Sequence, residues 1–310
     1  MLPSLPNRRQ FLRSVAVISA LAFVKPSSLL SAKQGTARKR AIPSSGEQLP
    51  VIGMGTWITF NVGQNRELLD NCKDIMQAFF QEGGRIIDSS PMYGSSQDTI
   101  GYGYEKLDRP DSLFAADKVW TRSTSGGKEQ ITESAEEWKV QHFDLLQVHN
   151  LVNWRSHLKT LFAMKERGEV RYVGITTSHG RRHGEMERIM RNEPIDFVQF
   201  SYNAVNRKAE DRLLPLAQDK GLAVIINRPF RQSALIDHVK RHPLPGWAGE
   251  IECANWAQVL LKYIVSHEAV TCTIPATSQK AHLHENMGAL HGILPDAAMR
   301  KRIVRHVEGL

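Results

Sequence analysis

From Leu49 onward, short apolar runs alternate with amphipathic stretches. The apolar runs centre near Ile52, Ile86, Phe114, Leu145, Tyr172, Phe197, Val224 and Cys272. Arg85-Ile86-Ile87-Asp88, Asp144-Leu145-Leu146-Gln147-Val148 and Leu222-Ala223-Val224-Ile225-Ile226 are bounded by Gly or polar residues. That is the pattern of parallel strands buried on both faces. The stretches between them read as helices. Residues 254–265 place Trp256, Val259, Leu260 and Tyr263 at three-to-four spacing, which predicts one apolar face. Eight strand-then-helix units predict an α/β chain closed into a (β/α)8 barrel of the TIM type, not an open sheet. No G-x-G-x-x-G turn follows a strand, which argues against a Rossmann domain. Gly101-Tyr102-Gly103-Tyr104 reads as a turn. Pro43, Ser44, Ser45 and Gly46 predict a hairpin over 40–50, ahead of the first barrel strand. Residues 229–250 read as a long loop after the seventh strand, on the face where such barrels hold ligands. A short helix over 295–307 ends the chain.

Composition adds little to this picture, but charge adds something. The 310 residues are 41% apolar and 23% charged, an ordinary globular balance that excludes disorder and a polytopic membrane protein. The net charge of +8 suggests at first a nucleic-acid or membrane-surface partner. Half of it sits in residues 1–32, which hold Arg8, Arg9, Arg13 and Lys25 and no acid. An apolar run from Ser14 to Val24 follows, too short to span a bilayer. Asn7-Arg8-Arg9-Gln10-Phe11-Leu12-Arg13 resembles the twin-arginine export motif. Residues 1–32 are therefore expected to be a leader addressed to the twin-arginine translocase. Residues 33–310 are expected to be a single barrel domain delivered to the periplasm, or tethered to the membrane if the leader stays. The mature chain then carries about +4, with no basic stripe interleaved with aromatics, so no nucleic-acid partner is expected. Cys72, Cys253 and Cys272 read as buried apolar residues, not a disulfide framework.

Barrel enzymes carry their working residues at the C-terminal ends of the strands. Here the second strand ends in Asp88 and its loop carries Tyr93; the third ends in Lys118 and the fourth in His149. A carboxylate, a phenol, an amine and an imidazole thus share one rim. A free Tyr, with a pKa of about 10, is a weak acid near neutrality. An adjacent ammonium is expected to lower that value, and a carboxylate to hold the ammonium in place. A neutral imidazole can orient a substrate oxygen while the Tyr protonates it and hydride arrives at carbon. Hydride requires a nicotinamide cofactor, since no side chain supplies it.

These stretches resemble one family. Gly84-Arg85-Ile86-Ile87-Asp88-Ser89-Ser90-Pro91-Met92-Tyr93-Gly94-Ser95-Ser96, Asp117-Lys118-Val119-Trp120 and Asp144-Leu145-Leu146-Gln147-Val148-His149-Asn150 are similar to the signatures of the aldo/keto reductases. The similarity extends over about residues 40–291. It implies that Asp88, Tyr93, Lys118 and His149 are the catalytic tetrad of a carbonyl reductase. It also implies an extended NADP(H), with NAD(H) as the less favoured choice, lying over strands five to eight.

By the same resemblance, Thr56 and Trp57 lie beside the cofactor. Thr176, Thr177 and Gln199 hold its carboxamide, with Thr176-Thr177 standing where the family has Ser-Asn. Arg228, Pro229 and Phe230 stand where an aromatic residue stacks on the ring, so that Arg228 either stacks or pairs with the diphosphate. Glu285 and Asn286 meet the adenine, and Thr277, Ser278 and His282 the 2′-phosphate. Trp57, Trp120 and Tyr202, with Trp154 as a further candidate, line an open pocket for a small carbonyl substrate. The His282-x-His284 spacing points to opposite sides of a helix, so no metal site is expected. A monomer is the implied state. A second reading stays open: an exported, non-catalytic nicotinamide-nucleotide module that serves as a redox sensor or partner subunit.

Overall fold

The computed structural model describes residues 36–310; the leader expected at 1–32 lies outside the described residues. A hairpin of β1 (Lys39–Ala41) and β2 (Gln48–Pro50) comes first, as expected from its turn residues. There follow β3 (Met54–Gly55), α1 (Arg66–Gln81), β4 (Ile86–Asp88), α2 (Ser96–Lys106), β5 (Phe114–Val119), α3 (Gly126–Trp138), β6 (Phe143–His149) and α4 (Trp154–Glu166). The second half runs β7 (Val170–Thr176), α5 (His183–Asn192), β8 (Phe197–Ser201), α6 (Leu213–Asp219), β9 (Ala223–Asn227), α7 (Ala234–Val239), α8 (Trp256–Val265), β10 (Cys272–Thr273), α9 (Lys280–Met287) and α10 (Ala297–Glu308).

Strands β3 to β10 pair in chain order, each parallel to the next. Parallel bridges Ile52–Thr273 and Gly55–Ala276 join the first strand to the last, which makes the sheet a barrel. The seam is tight. A Cβ on Gly53 would lie 2.3 Å from Cγ2 of Ile86, and one on Gly55 would lie 2.8 Å from the Ile274 carbonyl oxygen. The first strand closes the barrel because its inward positions carry no side chain.

Alternation along the strands separates two cores. Ile86, Phe114, Ala116, Leu145, Tyr172, Phe197, Ala223, Ile225, Cys272 and Ile274 point inward, with Ile42 and Leu49 of the hairpin packed among them. Ile87, Ala115, Leu146, Val148, Val173, Ile175, Val198, Val224 and Ile226 point outward and pack against the helices. Burying each large apolar side chain contributes about 1.5–3 kcal/mol. The same parity, carried to the C-terminal ends of the strands, makes Asp88, Lys118, Gln147, His149, Thr176, Gln199 and Asn227 inward residues. The barrel interior is thus apolar below and polar above.

Three expectations need correction. Gly101 and Gly103 are not in a turn but inside α2, where they allow close helix packing: a Cβ on Gly101 would meet the Glu137 carbonyl oxygen of α3 at 1.9 Å. Helix α8 is buried on nearly all sides instead of along one face. Helix α10 covers its outer side, with Arg300 Nη1 donating to the Tyr263 carbonyl at 2.5 Å. The segment 229–250 holds α7 and the start of a 3-10 turn, Gly246–Ile251, in place of an open loop. The three cysteines are free and buried, as expected.

Candidate active site

Asp88 sits level with Ala116 of β5, and Lys118 lies one inward position further along β5. The Lys118 Nζ donates to Asp88 Oδ1 at 2.5 Å and to the Ser89 carbonyl at 2.6 Å. The other Asp88 oxygen accepts from Gln199 Nε2 at 2.8 Å and Gln147 Nε2 at 3.2 Å. One cation and two amides therefore hold a buried carboxylate, the condition under which a buried charge is tolerated. Gly174 makes room for this: a Cβ there would lie 3.2 Å from Cγ of Gln147 and 2.8 Å from the Phe197 carbonyl oxygen. Burial pulls the Lys118 ammonium down, but Asp88 and the other anionic partners outweigh it, so its pKa is raised. The lysine is charged at all ordinary pH.

The loop after β4 places Tyr93 over this pair, with its ring centroid 5.1 Å from Lys118 Nζ. The ring stands edge-on to His149, the centroids 5.7 Å apart and the planes at 86°. The Tyr93 pKa is raised, not lowered as the sequence suggested. Burial pushes it up further than the Lys118 charge brings it down. Tyr93 is thus a protonated phenol, with a cation positioned to favour the anion it would leave. His149 closes β6 and is 5% exposed; burial, then the Lys118 charge, holds its imidazole well below the usual range, so it is neutral. Asp88, Tyr93, Lys118 and His149 come together as expected.

Asp88, Tyr93 and His149 border a cavity of about 390 Å³, while the Lys118 side chain is fully buried. Trp57, Ile58, Met92, Tyr93 and His149 form one side, and Asp88, Thr176 and Gln199 contribute at its base. Ser178, His179, Asn227, Arg228, Pro229, Phe230, Gln232 and Ser233 form the other side. Thr56 also borders it and donates to the Asp88 carbonyl at 2.9 Å. Trp120, 41% exposed, stands beside His149 with ring centroids 6.5 Å apart. Thr176 Oγ1 donates to Gln199 Oε1 at 3.2 Å, and Asn227 Nδ2 reaches the same oxygen at 3.2 Å. Arg228 has a positive φ of 53° and is half-buried; its Nη1 lies 2.5 Å from His179 Nε2. Burial, then the charges of Arg231 and Arg181, lowers the Arg228 pKa, and among the described residues no carboxylate pairs with any of the three arginines. This cationic corner has no carboxylate partner, and Arg228 is the arginine of the three that lines the cavity.

Several expected residues are elsewhere. Tyr202 does not line the cavity. It follows the inward Ser201, so parity turns it outward, where its hydroxyl donates to Glu210 and accepts from Arg300 Nη2 at 2.5 Å. Thr177 follows the inward Thr176 and likewise turns away, its Oγ1 3.9 Å from Met186 Sδ. Trp154 is nearly buried on α4, and its Nε1 donates to Glu185 at 2.9 Å. Thr277, Ser278, His282, Glu285 and Asn286, expected at the adenine and 2′-phosphate end of an extended cofactor, follow β10 outside this cavity. Thr277 Oγ1 accepts from the Gln279 N–H at 3.0 Å, and Glu285 lies 3.7 Å from Lys240 Nζ. Sequence reasoning missed Gln147, Asn227 and His179 as contributors, and Ser90, whose Oγ lies 2.7 Å from His149 Nδ1. Strand parity was the available signal for Gln147 and Asn227; none existed for Ser90.

A closed parallel barrel with a buried lysine–aspartate pair, a phenol and a neutral imidazole on one cavity wall is the arrangement of a barrel oxidoreductase. Residues 51–247 match the aldo/keto reductase family, and the chain belongs to it. A relative from Escherichia coli (strain K12), an NADH-specific methylglyoxal reductase, is 24% identical over 272 residues, covering 72% of this chain and 79% of the relative. Among solved structures, an aldo/keto reductase from Klebsiella pneumoniae in complex with NADP and acetate superimposes with a TM-score of 0.71 at 20% identity, covering 84% of this chain and 93% of that one. The aldo-keto reductase AKR11C1 from Bacillus halodurans in its holo form gives 0.72 at 19% identity, covering 87% and 96%.

Proposed function

We propose that this protein reduces aldehyde or ketone carbonyls, and oxidises the corresponding alcohols, with NADP(H) as the preferred cofactor and NAD(H) as an alternative. The observation that carries this reading is the Lys118–Asp88 contact directly beneath Tyr93 and beside His149. The nicotinamide supplies hydride when bound. The chain's own groups do the rest. His149 orients the carbonyl oxygen, and Tyr93 gives that oxygen a proton. The Lys118 charge stabilises the phenolate that remains, and Asp88 fixes the lysine.

The cavity suits a dinucleotide. Arg228 on the cavity wall, with Arg231 and Arg181 near it, presents positive charge and donors with no opposing carboxylate, which fits a diphosphate, and the neighbouring His179 is held neutral by burial and by the charges of Arg228 and Arg181. Thr176, Gln199 and Asn227 offer amide and hydroxyl groups at the base, suited to a carboxamide. The preference for NADP(H) draws on the solved relatives bound to it; the NADH-specific relative keeps NAD(H) open. Exposed Ile58, Met92 and Trp120 stand around the catalytic side, so the substrate is a small carbonyl compound with an apolar part.

Incubating the purified protein with NADPH or NADH and a panel of aldehydes and ketones tests the reading. Consumption of nucleotide with at least one carbonyl is expected. Tight nucleotide binding without turnover across the panel would favour the non-catalytic module instead. Residues 1–32 would address the chain to the twin-arginine translocase and the periplasm. Replacing Arg8 and Arg9 with lysine should then retain the protein in the cytoplasm on cell fractionation.

A further inference from the structure

His149 meets the cavity with only one ring nitrogen, because the other is taken. Its Nδ1 lies 2.7 Å from Oγ of Ser90, a residue with no exposed surface. The same Oγ accepts the backbone N–H of Met92 at 3.2 Å. Ser90 stands two residues after Asp88 and three before Tyr93. One short turn therefore carries the carboxylate, this hydroxyl and the phenol.

Counting protons decides how the contact is made. The imidazole is neutral, so it carries a single N–H. With that proton on Nδ1, Ser90 Oγ would accept two hydrogen bonds. Its own hydroxyl proton would then have no acceptor among the described residues, in a fully buried site. A buried donor left without a partner is costly. With the proton on Nε2, Ser90 donates to Nδ1, Met92 fills the oxygen, and every group is satisfied.

We propose that Ser90 is a positioning residue that fixes His149 as the Nε2–H tautomer, so that the cavity is offered a hydrogen-bond donor. A donor suits a carbonyl oxygen; the other tautomer would present a lone pair and repel it. Ser90 touches neither substrate nor cofactor and acts through the imidazole. The inference rests on the carbonyl-reductase reading for its consequence, but not for the tautomer itself.

The test is nitrogen-15 NMR of the histidine-labelled protein, with His149 assigned through the loss of its signals in His149→Asn. In the wild-type protein Nε2 should have the shift of a protonated ring nitrogen and Nδ1 that of an acceptor. In Ser90→Ala the two shifts should move toward each other as the tautomers mix. There kcat should fall about tenfold or more, with nucleotide affinity unchanged. A protonated Nδ1 in the wild-type protein would overturn the proposal without any variant. So would a Ser90→Ala protein with unchanged shifts and kcat. Absence of carbonyl turnover by the wild-type protein would instead overturn the functional reading, and leave the tautomer measurable.

Discussion

Lys118 and Asp88 are joined at 2.5 Å inside the barrel, with their side chains 0% and 2% exposed. Neighbouring strands bring them there, and each compensates the burial of the other. Lys118→Met leaves a carboxylate buried without its cation. We expect it to cost about 3–5 kcal/mol of stability in urea unfolding. Adding Asp88→Asn to that variant should restore part of the loss, because the uncompensated charge is then gone.

Asp117 precedes Lys118 but faces outward, where parity puts it beneath the helices. Its carboxylate accepts from Gln97 Nε2 at 2.5 Å and from the Lys118 N–H at 2.7 Å. Burial pushes its pKa up to about 7, against an ordinary 3.8. Between those values the folded state keeps a proton that the unfolded chain releases. Stability from this group is therefore present at low pH, declines as pH rises through the window, and is level above about 7. Asp117→Asn should remove that decline. The buried neutral His149 acts the other way, lowering stability below about pH 6.5 in both proteins. The difference between the wild-type and variant unfolding curves, measured across pH, thus isolates Asp117.

Gly101 marks where α2 meets α3. Alanine there would bring its Cβ to 1.9 Å from the Glu137 carbonyl oxygen, so the helices must move apart. A loss of about 1–3 kcal/mol is expected. Gly184 in α5 has nothing within 4 Å of the same atom. Gly184→Ala should stabilise the protein by roughly 0.5–1 kcal/mol through helix propensity alone. Thermal unfolding of the two variants should shift in opposite directions.

Arg228 belongs to the cationic corner that the proposed dinucleotide would occupy. Arg228→Ala should raise the nucleotide dissociation constant about tenfold or more, and weaken its dependence on salt. The kcat at saturating nucleotide should change much less. Fluorescence titration at two salt concentrations checks both points.

The barrel was legible because its strands are short apolar runs at near-regular spacing, and the grouping of Asp88, Tyr93, Lys118 and His149 because each ends a strand or follows it. Tyr202 and Thr177 were misplaced because each lies one residue past an inward position, where alternation turns the side chain outward. The glycines of α2 look like turn residues in isolation; only their neighbours explain them, the Glu137 backbone facing Gly101 and the Met76 side chain facing Gly103. The apolar content of α8 and the C-terminal helix were both visible, but not that the second packs over the outer side of the first. The Tyr93 shift depends on the balance between burial and a neighbouring charge, which no spacing records. The contact between Ser90 and His149 joins residues 59 apart in sequence, through a turn whose shape sequence does not reveal.

In the proposed reaction Tyr93 delivers the proton to the carbonyl oxygen. Tyr93→Phe removes one hydroxyl and leaves the Lys118–Asp88 pair in place. Steady-state turnover of a carbonyl substrate, measured alongside nucleotide affinity, tests it most directly. If Tyr93 is the proton donor, kcat falls about 10²- to 10⁴-fold while the nucleotide dissociation constant stays within about twofold. A variant that keeps the wild-type kcat would contradict it.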